Sequence, residues 1–287
     1  MTIIDQMLQN YKIDNVEDKK HAMKEIMQEI TLAALAKTDF FKHAAFYGGS
    51  ALRIFYNLDR FSDDLDFSLL RVNDGFSFDK YIPTINSVVE SMGLKFKVVE
   101  KAKTSDSHIL SAFLKGNTKE QFLIFYPESP DELLLHKDEK TTIKFEVDIF
   151  PPDYAKTELK FRLLPFPYQV RIYDKSSLFA GKIHAVIARE WKNRVKGRDL
   201  YDYIFYLSSQ TKVNLKHLEA RLKQTNTIDK DEILTIENLK SLLIKKFNDI
   251  NYDKAKEDVL PFLENPDILD IWSSNFFISI TEQLEYI

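Results

Sequence analysis

Residues 47–70, YGGSALRIFYNLDRFSDDLDFSLL, gather the groups in this chain best suited to chemistry. Asp64 and Asp66 stand two apart. In an extended segment, residues i and i+2 point to the same side, so the two carboxylates share a face. They repel each other unless a cation sits between them, and hard oxygen donors suit Mg²⁺ or Mn²⁺. Shortly upstream, Gly48 and Gly49 lie side by side in a chain with only 7 glycines, and Ser50 follows. Without Cβ atoms, backbone N–H groups can approach a ligand closely, and a helix N-terminus favours an anion. Ser50 is a candidate both to cap the following helix and to donate its hydroxyl to a phosphate oxygen. A phosphate cradle just ahead of a cation-binding strand is the chemistry of a nucleoside triphosphate. The ordinary alternatives are a capped tight turn and an acidic pair on a wet strand face.

Two later stretches add to this constellation. In KFEVDIF, Glu146 and Asp148 lie opposite the apolar residues, and either acid could complete a three-carboxylate metal site. The plain alternative is a polar strand face neutralised by Lys144. In AGKIHAVIAREWKNRVKGRDLYD, a helical Lys182 could meet triphosphate, and Asp199 could accept a hydrogen bond or a proton. Salt bridging between helices through Lys182, Arg198, Asp199 and Asp202 is the plain alternative there. Between Arg171 and Arg198, eight Lys and Arg residues outnumber two acids, Asp174 and Glu190. That excess could face an anionic ligand or simply be a solvated helix face. The six histidines show no metal-ligand spacing, and His184 reads as a packed or hydrogen-bonded helix residue. No G-x-x-x-x-G-K-[ST], G-x-G-x-x-G or nucleophile-elbow pattern is present.

The elements that must position these residues follow from periodicity. Residues 16–37 form an amphipathic helix with Met23, Ile26, Met27, Ile30 and Ala34 near one face. Residues 44–50 read as a short strand breaking into the glycine turn, 51–57 as a helix and 64–70 as a strand. A helix over 79–93 is stopped by Gly93, and 94–103 and 107–117 look like neighbouring strands. The clearest strand is 141–152, with Ile143, Phe145, Val147 and Ile149 on one face and two prolines at its end. Helices follow over 175–190 and 198–209 and continue to the C-terminus. The fold class is therefore α+β: a mixed β-sheet flanked by helices, followed by a mostly helical domain. The expected domains are residues 1–165 and 166–287.

The bulk properties are consistent with this. With 287 residues, 44% of them hydrophobic and 13% aromatic, the chain can bury a substantial core. Cysteine is absent, which removes disulfides, thiolate metal sites and a catalytic thiol. The N-terminal residues lack the pattern of a secretory signal, and no apolar run approaches a membrane span. A cytoplasmic protein with no membrane partner is expected. The net charge of −4 argues against coating nucleic acid over the whole surface.

The stretches FYGGSALRIFYNLDRFSDDLDFSL, IKFEVDIFPP, SLFAGKIHAVIAREW and KGRDLYDYIFYL together resemble the AbiEii/AbiGii-type nucleotidyltransferase toxins of the DNA polymerase β-like nucleotidyltransferase superfamily. The resemblance implies a nucleotidyltransferase-type sheet and transfer of NMP from an NTP with release of pyrophosphate. It implies Asp64 and Asp66 as the metal pair, with Glu146 as third acid and Asp148 as the alternative. Lys182 and Asp199 correspond to the lysine and aspartate of the C-terminal motifs. Gly48, Gly49, Ser50 and Arg53, with Lys182, are the candidate nucleotide-binding residues. The implied partners are an NTP with Mg²⁺ or Mn²⁺, a tRNA or other RNA 3′ end as acceptor, and a cognate antitoxin of a toxin–antitoxin or abortive-infection pair. Two competing expectations are transfer to a protein or small molecule, and a non-catalytic nucleotide- or protein-binding module. Residues after 210 match no motif.

Overall fold

The structure is a computed structural model that describes residues 1–287 except 101–107, 128, 130, 132–134, 191–194 and 264, and of Glu100 the backbone alone. Lys192 and Arg194 of the basic stretch, and residues 101–103 and 107 of the expected strands, lie outside the described residues. The chain forms two compact units interleaved in sequence. The first comprises Met1–Ala51, Ser62–Pro151 and Leu159–Ile172, and the second Leu52–Phe61, Pro152–Glu158 and Tyr173–Ile287.

The first unit is built on a mixed sheet. Among the described residues it has seven strands: β1 (Ala44–Tyr47), β2 (Leu65–Leu69), β3 (Lys97–Glu100), β4 (Ile109–Asn117), β5 (Lys140–Asp148), β6 (Thr157–Arg162) and β7 (Tyr168–Tyr173). Their order is β3-β4-β5-β2-β1-β7-β6. β1 runs antiparallel to β2 and parallel to β7, and β2 runs parallel to β5. Ile143, Phe145 and Val147 on β5 are buried, as are Leu65, Phe67 and Leu69 on β2. The alternation read from the sequence thus sends one face of β5 into the core and leaves Lys144, Glu146 and Asp148 half-buried on the other.

Helix α1 (Ile3–Leu8) leads into α2 (Val16–Ala36), which starts where the Asn15 side chain accepts a hydrogen bond from Asp18 N–H. Its Met23, Ile26, Met27 and Ile30 are wholly or almost wholly buried. α3 (Phe40–His43) feeds directly into β1. Phe40 sits edge-on to Phe67 and Tyr81, with ring centroids 4.9 and 5.1 Å apart, pinning that entry to the sheet. α5 (Ile82–Ser91) packs on α2, and α6 (Thr118–Phe125) closes β4.

The second unit is helical: α7 (Lys175–Ala188), α8 (Gly197–Ser208), α9 (Leu215–Gln224), α10 (Ile236–Asn248), α11 (Tyr252–Val259) and α12 (Ser274–Thr281). Its core includes Tyr203, Tyr206, Phe247 and Phe277. α8 and α11 approach closely at Gly197, where a Cβ would collide with the Ala255 carbonyl group. No described helix is long and apolar enough to cross a membrane.

Candidate active site

Helix α4 (Gly48–Tyr56) springs from the end of β1 with no intervening loop. It begins three residues earlier than the sequence suggests, so Ser50 lies in its first turn rather than capping it. Gly48 has φ +85°, a left-handed conformation that glycine adopts without penalty. A Cβ there would lie 3.1 Å from both Cβ and Cγ of Asp66 and would overlap its Oδ2. Ser50 is fully buried, and its hydroxyl donates to the Asp64 carbonyl oxygen. The turn thus holds both acids: Gly48 makes room for the side chain of one, and Ser50 tethers the main chain of the other. Asp64 immediately precedes β2, Asp66 lies within it, and both are half-buried.

Strand register fixes what stands beside them. Asp66 is level with Tyr47 on β1 and with Glu146 on β5, while Ser68 is level with Asp148. Neighbours at the same level share a face, so Asp66 and Glu146 are side by side. The Glu146 carboxylate is engaged by Lys144 at 2.7 Å and by the Ser111 hydroxyl at 3.1 Å. Asp148 instead accepts the Phe150 N–H at 3.0 Å. Among the described residues, no group of three or more His, Asp or Glu side chains closes to metal-holding distance. Asp64 and Asp66, the two acids that the turn holds, form the candidate metal pair. Their donors are all oxygen, which fits Mg²⁺ or Mn²⁺.

The second unit carries its own charged cluster. Lys182 Nζ lies 2.6 Å from Asp199 Oδ1 and 2.8 Å from Asp202 Oδ2. Arg189 also donates to Asp199. Arg60, 2% exposed, grips Asp202 through Nε at 2.6 Å and Nη2 at 2.7 Å, and Asp202 is fully buried. Burial pushes the Asp199 carboxyl up, but the charges of Lys182 and Arg189 outweigh it and hold the group below its ordinary value. Arg53 Nη1 donates to the Leu58 carbonyl at 2.9 Å, and its guanidinium lies 4.5 Å above the Phe61 ring. The space beside Gly181 faces the Arg221 guanidinium at 3.9 Å.

The family description "Nucleotidyl transferase AbiEii toxin, Type IV TA system" matches residues 30–274. The chain belongs to the AbiEii nucleotidyltransferase toxin family. Membership makes it a nucleotidyltransferase and implies an NTP substrate and a cognate antitoxin. Among solved structures it is similar to MenT4, a nucleotidyltransferase toxin of Mycobacterium tuberculosis. The two share 14% identity with a TM-score of 0.56, over 99% of this chain and 88% of that one. JHP933 from Helicobacter pylori is also similar, at 19% identity and a TM-score of 0.42, over 92% of this chain and 88% of that one. No curated protein matches. The MenT4 likeness supports the α+β architecture.

In this AbiEii chain, Gly48, Ser50, Asp64, Asp66 and Glu146 come together in the first unit, and Lys182 with Asp199 in the second. Sequence reasoning gave no role to Arg60, and it saw Lys144 only as a neutralising neighbour. The i, i+2 spacing of Lys144 and Glu146 on one strand face was the available signal for their pairing. Arg60 had none, because its partner Asp202 is remote in sequence.

Proposed function

We propose that this AbiEii-family nucleotidyltransferase is a cytoplasmic, metal-dependent enzyme that transfers NMP from an NTP to the 3′ end of an RNA such as tRNA. The observation that carries the reading is the level pairing of Asp66 with Glu146 on the sheet face where Gly48 leads β1 into α4. Asp64 and Asp66 would hold Mg²⁺ or Mn²⁺, which supplies charge neutralisation on the triphosphate when bound. The first backbone N–H groups of α4 have no intrahelical partners and are suited to the phosphate oxygens.

The acceptor hydroxyl oxygen forms a bond to the α-phosphorus, the bond from that phosphorus to the β-phosphate oxygen breaks, and pyrophosphate leaves. Glu146, released from Lys144, takes the proton of the acceptor hydroxyl. The role of Ser50 is to fix the Asp64 backbone, and that of Gly48 is to keep the Asp66 carboxylate seated against the turn.

The test is to incubate the full chain with each α-³²P-NTP, Mg²⁺, total RNA and a soluble protein extract, then separate the products. Label in a small RNA is the expected result. Label confined to protein or to a small molecule would move the acceptor to that class. Absence of label in every fraction with every NTP would contradict the catalytic reading.

A further inference from the structure

Two cavities of about 460 and 470 Å³ open on the first unit and share Lys42 as a wall. The first is lined by Lys37, Lys42, Arg171, Phe41 and Phe166, and the second by Lys42, His43, Arg71 and Asn73. Among the described residues, neither cavity has an Asp or Glu in its wall. In a chain whose 44 acids outnumber its 40 Lys and Arg, that exclusion is a local departure from the whole. Three acids adjoin the lining in sequence without forming part of it, Asp39, Asp74 and Glu158; Asp39 is bridged by Lys80 at 2.5 Å and by His43 at 3.5 Å, and Glu158 accepts from the Tyr56 hydroxyl. Three later cations of the sequence-basic stretch, Lys182, Arg189 and Arg198, instead face Asp199, Asp202 and Asp258.

The two cavities, meeting at Lys42, form a trough whose first part has aromatic as well as cationic walls. Phe41 and Phe166 are both half-buried, and Lys37 Nζ lies 4.1 Å from the Phe166 ring centroid. Arg171 Nε donates to the Phe41 carbonyl at 3.1 Å, which ties the guanidinium to the main chain at Phe41. Each cavity falls within the roughly 300–1,000 Å³ range of small-ligand sites. Cations interleaved with aromatic faces along an open groove are the recipe for single-stranded nucleic acid: charge meets the backbone and rings stack on bases. A duplex would hide its bases from Phe41 and Phe166, and an acidic peptide of Asp and Glu would have no aromatic rings to stack on them.

The trough also lies apart from the catalytic acids. Asp66 is level with Tyr47, whereas Leu69 is level with Ala44, and Leu70 N–H bonds to the His43 carbonyl where the second cavity starts. Three residue steps, about 10 Å of strand, separate the two levels.

We propose that this trough, through Lys37, Lys42, Arg71 and Arg171 with Phe41 and Phe166, binds single-stranded RNA as an anchoring site distinct from the catalytic carboxylates. What the bound strand is for rests on the RNA-acceptor reading above; what the trough binds does not.

The experiment is fluorescence anisotropy of a labelled single-stranded RNA of about 12 nucleotides. It compares the full-length wild type, Asp66→Asn, Lys42→Glu, Arg71→Glu and the milder double variant Lys42→Gln/Arg71→Gln. Four phosphate contacts predict a log–log salt slope of about −3 for the wild type, and each lost cation weakens binding at least about fourfold near 0.15 M salt. Asp66→Asn should bind as the wild type does while losing transfer. Lys42 and Arg71 are exposed, so thermal melts of the variants should match the wild type.

Equal binding by the wild type and the double variant would overturn the proposal. So would equal affinity for duplex DNA of the same length, or full competition by polyglutamate. If RNA is labelled but trough variants bind and label it normally, the trough fails and the catalytic reading stands. If trough variants lose RNA binding while no RNA is ever labelled, the trough stands and the acceptor assignment fails.

Discussion

Gly48 lies directly against the carboxylate of Asp66, so a β-carbon at position 48 would overlap it. The same glycine has φ +85°, so two independent demands fall on one residue. Gly48→Ala is expected to lower nucleotidyl transfer about 100-fold, because a shift of about 1 Å in a catalytic group costs that much. The left-handed conformation adds about 1–2 kcal/mol of destabilisation, measured by urea unfolding. Normal transfer by Gly48→Ala would mean that the seat of Asp66 does not matter.

The register makes Glu146, not Asp148, the neighbour of Asp66. Glu146→Gln should therefore reduce kcat by about 100-fold or more, the ordinary worth of a positioned base. Asp148→Asn should leave kcat within about tenfold of wild type on the same scale, since its carboxylate caps the Phe150 N–H. Single-turnover kinetics with each variant decides between them. The reverse order would assign the third acid to Asp148.

Arg60 and Asp202 form a buried, two-pronged pair. Arg60→Ala leaves Asp202 with Lys182 at 2.8 Å as its remaining ion-pair partner among the described residues. The expected loss is about 3 kcal/mol, near the low end for removing one member of a buried pair. Chemical denaturation measures it. A loss below about 1 kcal/mol, the range of a surface pair, would show that this cluster contributes little to folding.

His217 is fully buried, with Nδ1 2.7 Å from the Asp153 carbonyl and Nε2 lacking a hydrogen-bond partner among the described residues. That arrangement suits the neutral ring, with Nδ1–H donating. Burial and the charge of Arg221 push its pKa down to about 4. The folded state therefore resists a proton that the unfolded chain accepts below about pH 6.5. Its contribution is complete above that pH and is lost progressively between 6.5 and 4, about 2.5 kcal/mol by pH 4.5. Unfolding free energies from pH 7.5 to 4.5 should show a shallower decline in His217→Gln than in the wild type. Parallel curves would contradict this.

Much of the fold around the candidate site was legible in the chain. Alternation in KTTIKFEVD foretold which face of β5 is buried, and apolar residues at helical spacing foretold α2, because solvent sorts side chains at those two periods. The two glycines marked a real backbone demand at Gly48. What stayed hidden depended on partners distant in sequence. The parallel pairing of β2 with β5, which brings Glu146 beside Asp66, has no local signature. Residues 52–61 and 152–158 join the second unit through links such as Asp59 to Tyr201 and Asp153 to His217, which no periodicity announces. The basic run after Arg171 looked like the phosphate surface, yet several of its cations are met by acids of their own unit, and composition cannot see that pairing.

The most direct measurement compares the wild type with Asp66→Asn in transfer of label from α-³²P-NTP, alongside γ-³²P-NTP as control. The account predicts that the α-label becomes covalently attached to RNA, that the γ-label appears only in pyrophosphate, and that Asp66→Asn, folded by its melting curve, abolishes both. Undiminished transfer by Asp66→Asn, or attachment of the γ-label, would contradict it.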